Sequence, residues 1–453
     1  MTTVARTQSA RTAAQRGFIL LALMSAAFGF ALNAQQNIVT NYFESVLGFT
    51  PSQFGYITAI REVPGFLLIF VSALFFRVSL QRLTAGALVL LSVGYVFFGA
   101  SHSFWTVAPW VIISSMGYHT VLQTQYALGM NLTTESKSGA LLGRMSAINQ
   151  AGSLVALILV ALAFHFHWLS FRPTFVLLGG VALLAAVAVF FFPNLQDGEA
   201  RAHAAKRDPI VLKREYRYYY LLSILDGGRQ QVFFSFGLFV LVHQYHLSVS
   251  QVSLLLVAIT FAGVLSGSWV GKMLDRYGER SMLSLINVAY VVALAGYAFT
   301  NNLAVACGCY IVYVFIQPLS PIGAATYLRK VAVPAEIAPS LAMGVTMQHA
   351  AAIVVPITAG IILNYVGYQI PFMIACGFSC LTFIVTRRLD AKTQRSAARI
   401  AADNARLIAV NDANELDAAQ DVLDGQPGVA RTAVEIMAQQ RTPAPGTGSS
   451  GDD

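Results

Sequence analysis

Long apolar runs separated by short polar joints recur along the first 388 residues. They fall at about 17–44, 53–76, 83–100, 104–128, 139–165 and 171–193, and again at 216–243, 250–272, 281–299, 303–328, 338–364 and 368–386. Most are close to the ~20 residues that a helix needs to cross the hydrocarbon core of a bilayer. Within lipid a helix satisfies its own backbone polar groups, and an open strand does not. The pattern therefore predicts an all-α membrane protein with twelve transmembrane helices in two six-helix sets. A polar stretch with Asp197, Glu199, Arg201, Lys206 and Lys213 divides the sets. The predicted units are a leader at 1–16, a first bundle at 17–193, a linker at 194–215, a second bundle at 216–388 and a tail at 389–453. In the tail, Ala397–Val410 is helix-prone, and Thr442–Ser450 has a disorder-like Pro, Gly and Ser composition.

The two sets repeat one another. Shifted by 198 residues, Ser52 and Gln53 fall on Ser250 and Gln251, Gly65 on Gly263, Gly29 on Gly227, and Arg82 on Arg280. A shift of 201 places Glu135 on Glu336 and Gly143 on Gly344. Each match is weak alone, but the shared spacing predicts an internal duplication, and hence two pseudo-symmetric bundles.

Composition agrees with the pattern. Charged residues make up 11% of the chain and hydrophobic residues 56%, against roughly 25% charged in soluble domains. The net charge of +8 is spread over short loops, which argues against a nucleic-acid partner and for a lipid-facing basic edge. One side collects Arg77, Arg82, Lys137, Lys206 to Arg217, Lys272 to Arg280, Arg329, Lys330, Arg387 and Arg388. Loops near 48, 102, 246, 301 and 367, on the other side, hold no Lys or Arg, and Arg172 alone breaks the rule. Positive-inside logic then puts both termini in the cytoplasm of a multi-pass inner-membrane protein. Met1 to Arg16 superficially resembles a transit peptide, but it runs straight into a full span and reads as a cytoplasmic leader. Cys307, Cys309, Cys376 and Cys380 all sit in apolar runs and read as small apolar filler, so no metal site and no cofactor are expected.

After the eighth run comes Gly271-Lys-Met-Leu-Asp275-Arg276-Tyr-Gly278-Glu-Arg280. This resembles the loop signature of the major facilitator superfamily (MFS): Gly, Asp-Arg four residues on, a second Gly, then a basic residue. A sharp reversal suits glycine, and a carboxylate there can cap a helix start or pair with an arginine at a cytoplasmic gate. The resemblance covers residues 17–388. It implies the MFS fold, a secondary transporter, and a gating role for Gly271, Asp275, Arg276, Gly278 and Arg280. The first-half counterpart, Phe75-Phe-Arg77-Val-Ser-Leu-Gln-Arg82, lacks the Asp and both glycines. The fourth run reads Ser114-Ser115-Met-Gly117, without the arginine many family members carry before that glycine. The fifth, around Ala147 to Ser153, lacks the Gly-Pro pattern of drug–proton exchangers.

Charges inside the bilayer are costly and mark cavities or partners. The candidates are Arg61 and Glu62 in run 2, His119 in run 4, Asp226 and Arg229 in run 7, and His349 in run 11. The resemblance implies that helices 1, 4, 7 and 10 line a central path. Those runs carry polar stripes: Asn33, Gln36 and Asn37; His119 and Gln123; Asp226, Arg229 and Gln230; Tyr310, Tyr313 and Gln317. Under the 198 shift the charged residues align with Phe28, Ala31, Ile259 and Thr260, so the duplicated scaffold does not require them. Arg61, Glu62, His119, Asp226, Arg229 and Gln230 are thus the expected substrate or coupling residues. Asn33, Gln36, Gln123, Tyr313 and Gln317 are the expected cavity lining. A network joining Arg61 and Glu62 to run 7 is one possibility. Mutual neutralisation of Asp226 and Arg229, and hydrogen-bonded core roles for the histidines, are the plain alternatives. Gly227-Gly228 is expected to interrupt its helix and open a cavity.

No His-x-x-x-His, Gly-x-Ser-x-Gly or phosphate loop is present, so an enzyme is not expected. The expectation is a monomeric carrier of a small solute working by alternating access, with protons as coupling ion and an anionic or zwitterionic substrate. The alternative is a non-transporting assembly or sensory protein on the same fold.

Overall fold

A computed structural model describes residues 2–74, 78–130, 132, 135–193, 212–391, 393–405 and 408. Arg77, most of the interset linker and the tail beyond 408 lie outside the described residues. Among the described residues every regular element is helical. The first set comprises α1 (Thr2–Asn41), α2 (Pro51–Leu74), α3 (Leu80–Phe98), α4 (Phe104–Met130), α5 (Glu135–His165) and α6 (Phe171–Phe190). The second comprises α7 (Arg217–His243), α8 (Val249–Phe299), α9 (Leu303–Ile316), α10 (Leu319–Val331), α11 (Pro334–Val366) and α12 (Gln369–Arg387). Among the described residues eight stretches are long and apolar enough to cross a membrane, including Leu303–Val331, which α9 and α10 share. The long helices outside these eight, α2, α4 and α7, carry Arg61, Glu62, His119, Asp226 and Arg229.

Three local departures have physical causes. Runs 8 and 9 are two helical segments of α8 that meet at a break at Gly278, with φ 73 and ψ 160, a left-handed setting that favours glycine. The motif residues before Gly278 are helical backbone rather than loop; the side chains of Gly271 to Asp275 lie outside the described residues. Run 10 is split at Gln317-Pro318, because proline cannot donate the hydrogen bond that would continue α9. The expected break at Gly227-Gly228 is absent, and α7 is continuous there. A Cβ at Gly227 would lie 3.2 Å from Gln348 Cα, and one at Gly228 3.1 Å from the Phe378 ring. These glycines are notches that let α11 and α12 approach α7.

The repeated Ser-Gln also has a local explanation. Gln251 closes a capping box with Ser248 at the start of α8. Gln53 does the same for α2, exchanging bonds with Thr50 at 3.0 Å and 3.3 Å. One helix-start device is therefore used twice.

Within the first set α3 packs on α4 and α6, and α1 on α5 and α6. Within the second, α7 packs on α11 and α12, and α8 on α9 and α12. The sets meet along α2 against α11 and α5 against α8. Phe28, Tyr42, Leu88, Phe98 and Phe175 fill the first core, and Phe233, Phe236, Tyr290, Tyr297 and Phe372 the second.

Candidate functional site

The two sets enclose a cavity of about 600 Å³, within the range of small-molecule sites. One end is closed by contacts between the sets. Asn37 Nδ2 reaches Ser253 Oγ at 2.5 Å, and Asn41 Nδ2 reaches the Leu247 carbonyl at 2.8 Å. His243 Nδ1 stands 3.2 Å from Glu44 Oε1, and Ser250 Oγ donates to the Ala161 carbonyl at 3.0 Å. Phe54 packs against Phe239 with centroids 4.6 Å apart and the rings tilted by 40°. All these contacts lie toward the loops that lack Lys and Arg. Toward the Lys- and Arg-rich end the ion pairs Lys213–Glu336 and Lys330–Glu279 stay within the second set.

At the cavity wall Glu62 of α2 gathers groups from three helices. Its Oε1 accepts from Arg61 Nε at 3.2 Å and Nη2 at 3.0 Å. Its Oε2 faces His349 Nδ1 of α11 at 3.6 Å and His119 Nε2 of α4 at 3.9 Å. Both distances are longer than an ordinary hydrogen bond, so this oxygen has two imidazoles within ion-pair reach. His119 Nε2 is itself buried without a partner. The geometry has local causes. Gly65 leaves room for the His119 ring, whose atoms lie 2.6–2.8 Å from where a Cβ would sit. Ser115 Oγ donates to the Arg61 carbonyl and ties α4 to α2. Glu62 is 9% exposed, whereas the Arg61 side chain is 42% exposed and faces the cavity.

Asp226 and Arg229 form a different kind of cluster. They bond to each other on α7. Asp226 Oδ1 also accepts from Ser320 Oγ at 2.6 Å, and Arg229 Nη1 reaches Tyr313 Oη at 2.5 Å. The guanidinium carbon lies 3.5 Å from the centre of the Tyr290 ring, and Arg229 is fully buried. Neither residue lines the large cavity; Asp226 instead borders a smaller one of about 190 Å³ inside the second set. No hydrogen bond or ion pair joins this cluster to Glu62 among the described residues, and Glu62 takes its cross-set partner from α11, not from α7.

Of the remaining expected residues, Asn33, Gln36, Arg61, Glu62 and His119 line the large cavity. Asn33 also bonds Ser153 Oγ at 2.7 Å. Gln123, Gln230, Tyr313 and Gln317 are not among the lining residues, and Gln231 takes the place expected of Gln230. On α7 the cavity face runs Gln231, Phe234, Leu238, at helical spacing. Arg276 and Arg280 are exposed, and Glu279, between them, pairs with Lys330 at 2.5 Å. His349 is the sixth embedded candidate, weighed in the sequence chiefly as a packing or interface residue. Its role at Glu62 follows from the α2–α11 crossing, which run spacing does not reveal.

The sequence pattern of the Major Facilitator Superfamily matches residues 18–240 and again 219–422, once for each set. No curated protein matches the sequence. Among solved structures, the nucleoside transporter NupG superposes with a TM-score of 0.68 at 14% identity, covering 83% of this chain and 100% of that one. A bacterial homolog of the human lysosomal transporter Spinster, inward-facing and occupied, gives 0.65 at 13% identity over 84% and 98%. The human organic anion transporter MFSD10 gives 0.52 at 14% identity over 83% and 99%. Such identities establish the fold alone. Together with the family match over both halves, they make this chain a multi-pass membrane transport protein that belongs to the Major Facilitator Superfamily.

Proposed function

We propose that this protein is a proton-coupled secondary carrier of a small organic anion, working by alternating access, with Glu62 as the proton-carrying group. The observation that supports the reading most is the division of labour on the Glu62 carboxylate. One oxygen is held by Arg61, and the other faces two imidazoles within ion-pair reach. With Glu62 ionised, Arg61 has its counter-charge and an anion gains little. With Glu62 protonated, Arg61 is a cation at a cavity wall with no partner, and a bound anion replaces the lost charge. Proton and anion then bind together. His349 belongs to the opposite set, so its contact with Glu62 also ties the charge state to how closely the halves meet. Closure at the Lys- and Arg-poor end suits an inward-facing arrangement, if the Lys- and Arg-rich end is cytoplasmic.

The test is uptake into proteoliposomes from a panel of labelled small organic acids under an imposed pH gradient. Wild type is expected to accumulate at least one of them. Glu62→Gln should lose gradient-driven accumulation by tenfold or more and retain counterflow exchange, which needs no net proton movement. Arg61→Gln should weaken both. Full gradient-driven uptake by Glu62→Gln contradicts the coupling role; no uptake of any acid by wild type contradicts the carrier reading and favours a sensory or assembly protein.

A further inference from the structure

The cavity walls are chemically unequal, and the inequality names a class of substrate. This inference rests on the carrier reading above and extends it from charge to shape. The formal charges lining the cavity, Arg61 and Glu62, belong to the first set; the second offers His349, which turns toward Glu62, and the uncharged polar side chains of Gln231 and Tyr310. Opposite stands an apolar wall of Phe234, Leu238, Leu256, Ile259 and Val314, from α7, α8 and α9. Phe234 is 47% exposed, an unusual amount of aromatic surface for a residue facing an internal cavity. The Thr260 hydroxyl on the same side is spent on its own helix, donating to the Leu256 carbonyl at 2.8 Å.

We infer that the substrate is an amphipathic monoanion, with its acidic head on Arg61 and a hydrocarbon or aryl body against the Phe234 wall. Arg61 uses Nε and Nη2 on Glu62, which leaves Nη1 for a ligand oxygen. A second charge at the far end of the molecule would have to leave water for the apolar wall, where the second set offers Gln231 and Tyr310 but no charged side chain to answer it. A purely polar anion would leave that wall wet. The arrangement therefore selects against dicarboxylates, polyols and cations while accepting a chain with one acidic end.

The experiment is calorimetric binding to the full-length protein in nanodiscs at acidic pH, with empty nanodiscs subtracted for partitioning. The probes are butyrate, hexanoate, octanoate, adipate and hexylammonium. Carboxylate affinity is expected to rise about three- to fourfold per methylene, the amount that burying a CH₂ predicts. Adipate should bind at least tenfold more weakly than hexanoate, and hexylammonium should not bind. Phe234→Asn should flatten the chain-length dependence and Phe234→Leu should keep it, while Arg61→Gln should weaken every carboxylate by a similar factor. Adipate binding as tightly as hexanoate, or an unchanged chain-length slope in Phe234→Asn, overturns the inference. That failure is separable from failure of the coupling proposal: polar acids driven by a pH gradient through Glu62 would sink only the amphipathic assignment, and a steep chain-length slope without gradient-driven uptake would sink only the coupling.

Discussion

Two acid–arginine pairs are embedded in this protein, and their surroundings give them different work. Arg229 is fully buried between Tyr290 and Tyr313, with Asp226 as its only counter-charge. Removing one partner of such a pair strands a desolvated charge, at a cost of about 3–5 kcal/mol. Asp226→Asn should therefore lower the thermal stability of the purified protein markedly, and adding Arg229→Met should recover much of the loss. Glu62→Gln, whose partner Arg61 is 42% exposed on the cavity, should shift the unfolding temperature little. If the order is reversed, with Glu62→Gln the more destabilised variant, the functional and structural assignments of the pairs are exchanged. The i,i+3 spacing of Asp226 and Arg229 made their pairing legible in the sequence. Their distance from the cavity was not, because a helix position shows which residues share a face but not which neighbour that face meets. The same holds for Gln230 and Gln231, where one step of helical phase separates the packed side from the cavity side.

At the scale of elements, glycine sets how the halves touch. Gly55 of α2 packs against the Pro356 carbonyl and Gly360 of α11, with no room for a side chain. Gly55→Val should hold α2 and α11 apart and loosen the closed end. A cysteine replacing Thr40, in the cavity behind that closure, should then react several-fold faster with a membrane-impermeant maleimide added from the Lys- and Arg-poor side. Unchanged reactivity would show that the α2–α11 crossing does not seal this end. A second element-level device lies at the other end. Glu336, in the first turn of α11, accepts from Lys213 Nζ at 2.5 Å and Tyr216 Oη at 2.7 Å, joining the start of α7 to α11. The bond from Lys213 and then that from Tyr216 hold its carboxyl below the ordinary glutamate range. A depressed folded value means that the stabilisation is complete above the unfolded value of about 4.3 and is lost as pH falls through the lower folded value. Glu336→Gln should accordingly remove part of the acid-induced fall in unfolding temperature below about pH 4.3, and an identical acid profile for the variant would contradict the clasp. Beyond α12, the chain at 397–405 is helical and rests on the α10–α11 joint, with Ser396 N on the Val331 carbonyl and Arg399 Nη1 on the Ala332 carbonyl. Ala-rich composition had marked that stretch as helix-prone; its docking depends on carbonyls left free where α10 ends.

For the whole molecule, hydrophobic spacing and the 198-residue repeat were enough to read an all-helical, duplicated membrane fold, because lipid leaves the backbone so few alternatives. The cavity could be read only in part. Asn33, Gln36, Arg61, Glu62, His119 and His349 stood out as polar residues in apolar runs, whereas Phe234 and Leu238 did not, since cavity-facing and packing apolar residues look alike until the halves are set face to face. The central claim is that those halves exchange one closed end for the other around the Glu62 cavity. The most direct measurement is the distance between spin labels on cysteines replacing the exposed Arg82 and Arg280, in a background without the four native cysteines, reconstituted in nanodiscs. Two populations are expected: a long distance corresponding to the separated Lys- and Arg-rich end, and a shorter one that grows or shrinks with pH in wild type. In Glu62→Gln, which fixes the neutral form of the carboxyl, the balance should no longer respond to pH across the range where wild type does. A single distance at every pH, or a pH response that Glu62→Gln leaves intact, would contradict the account.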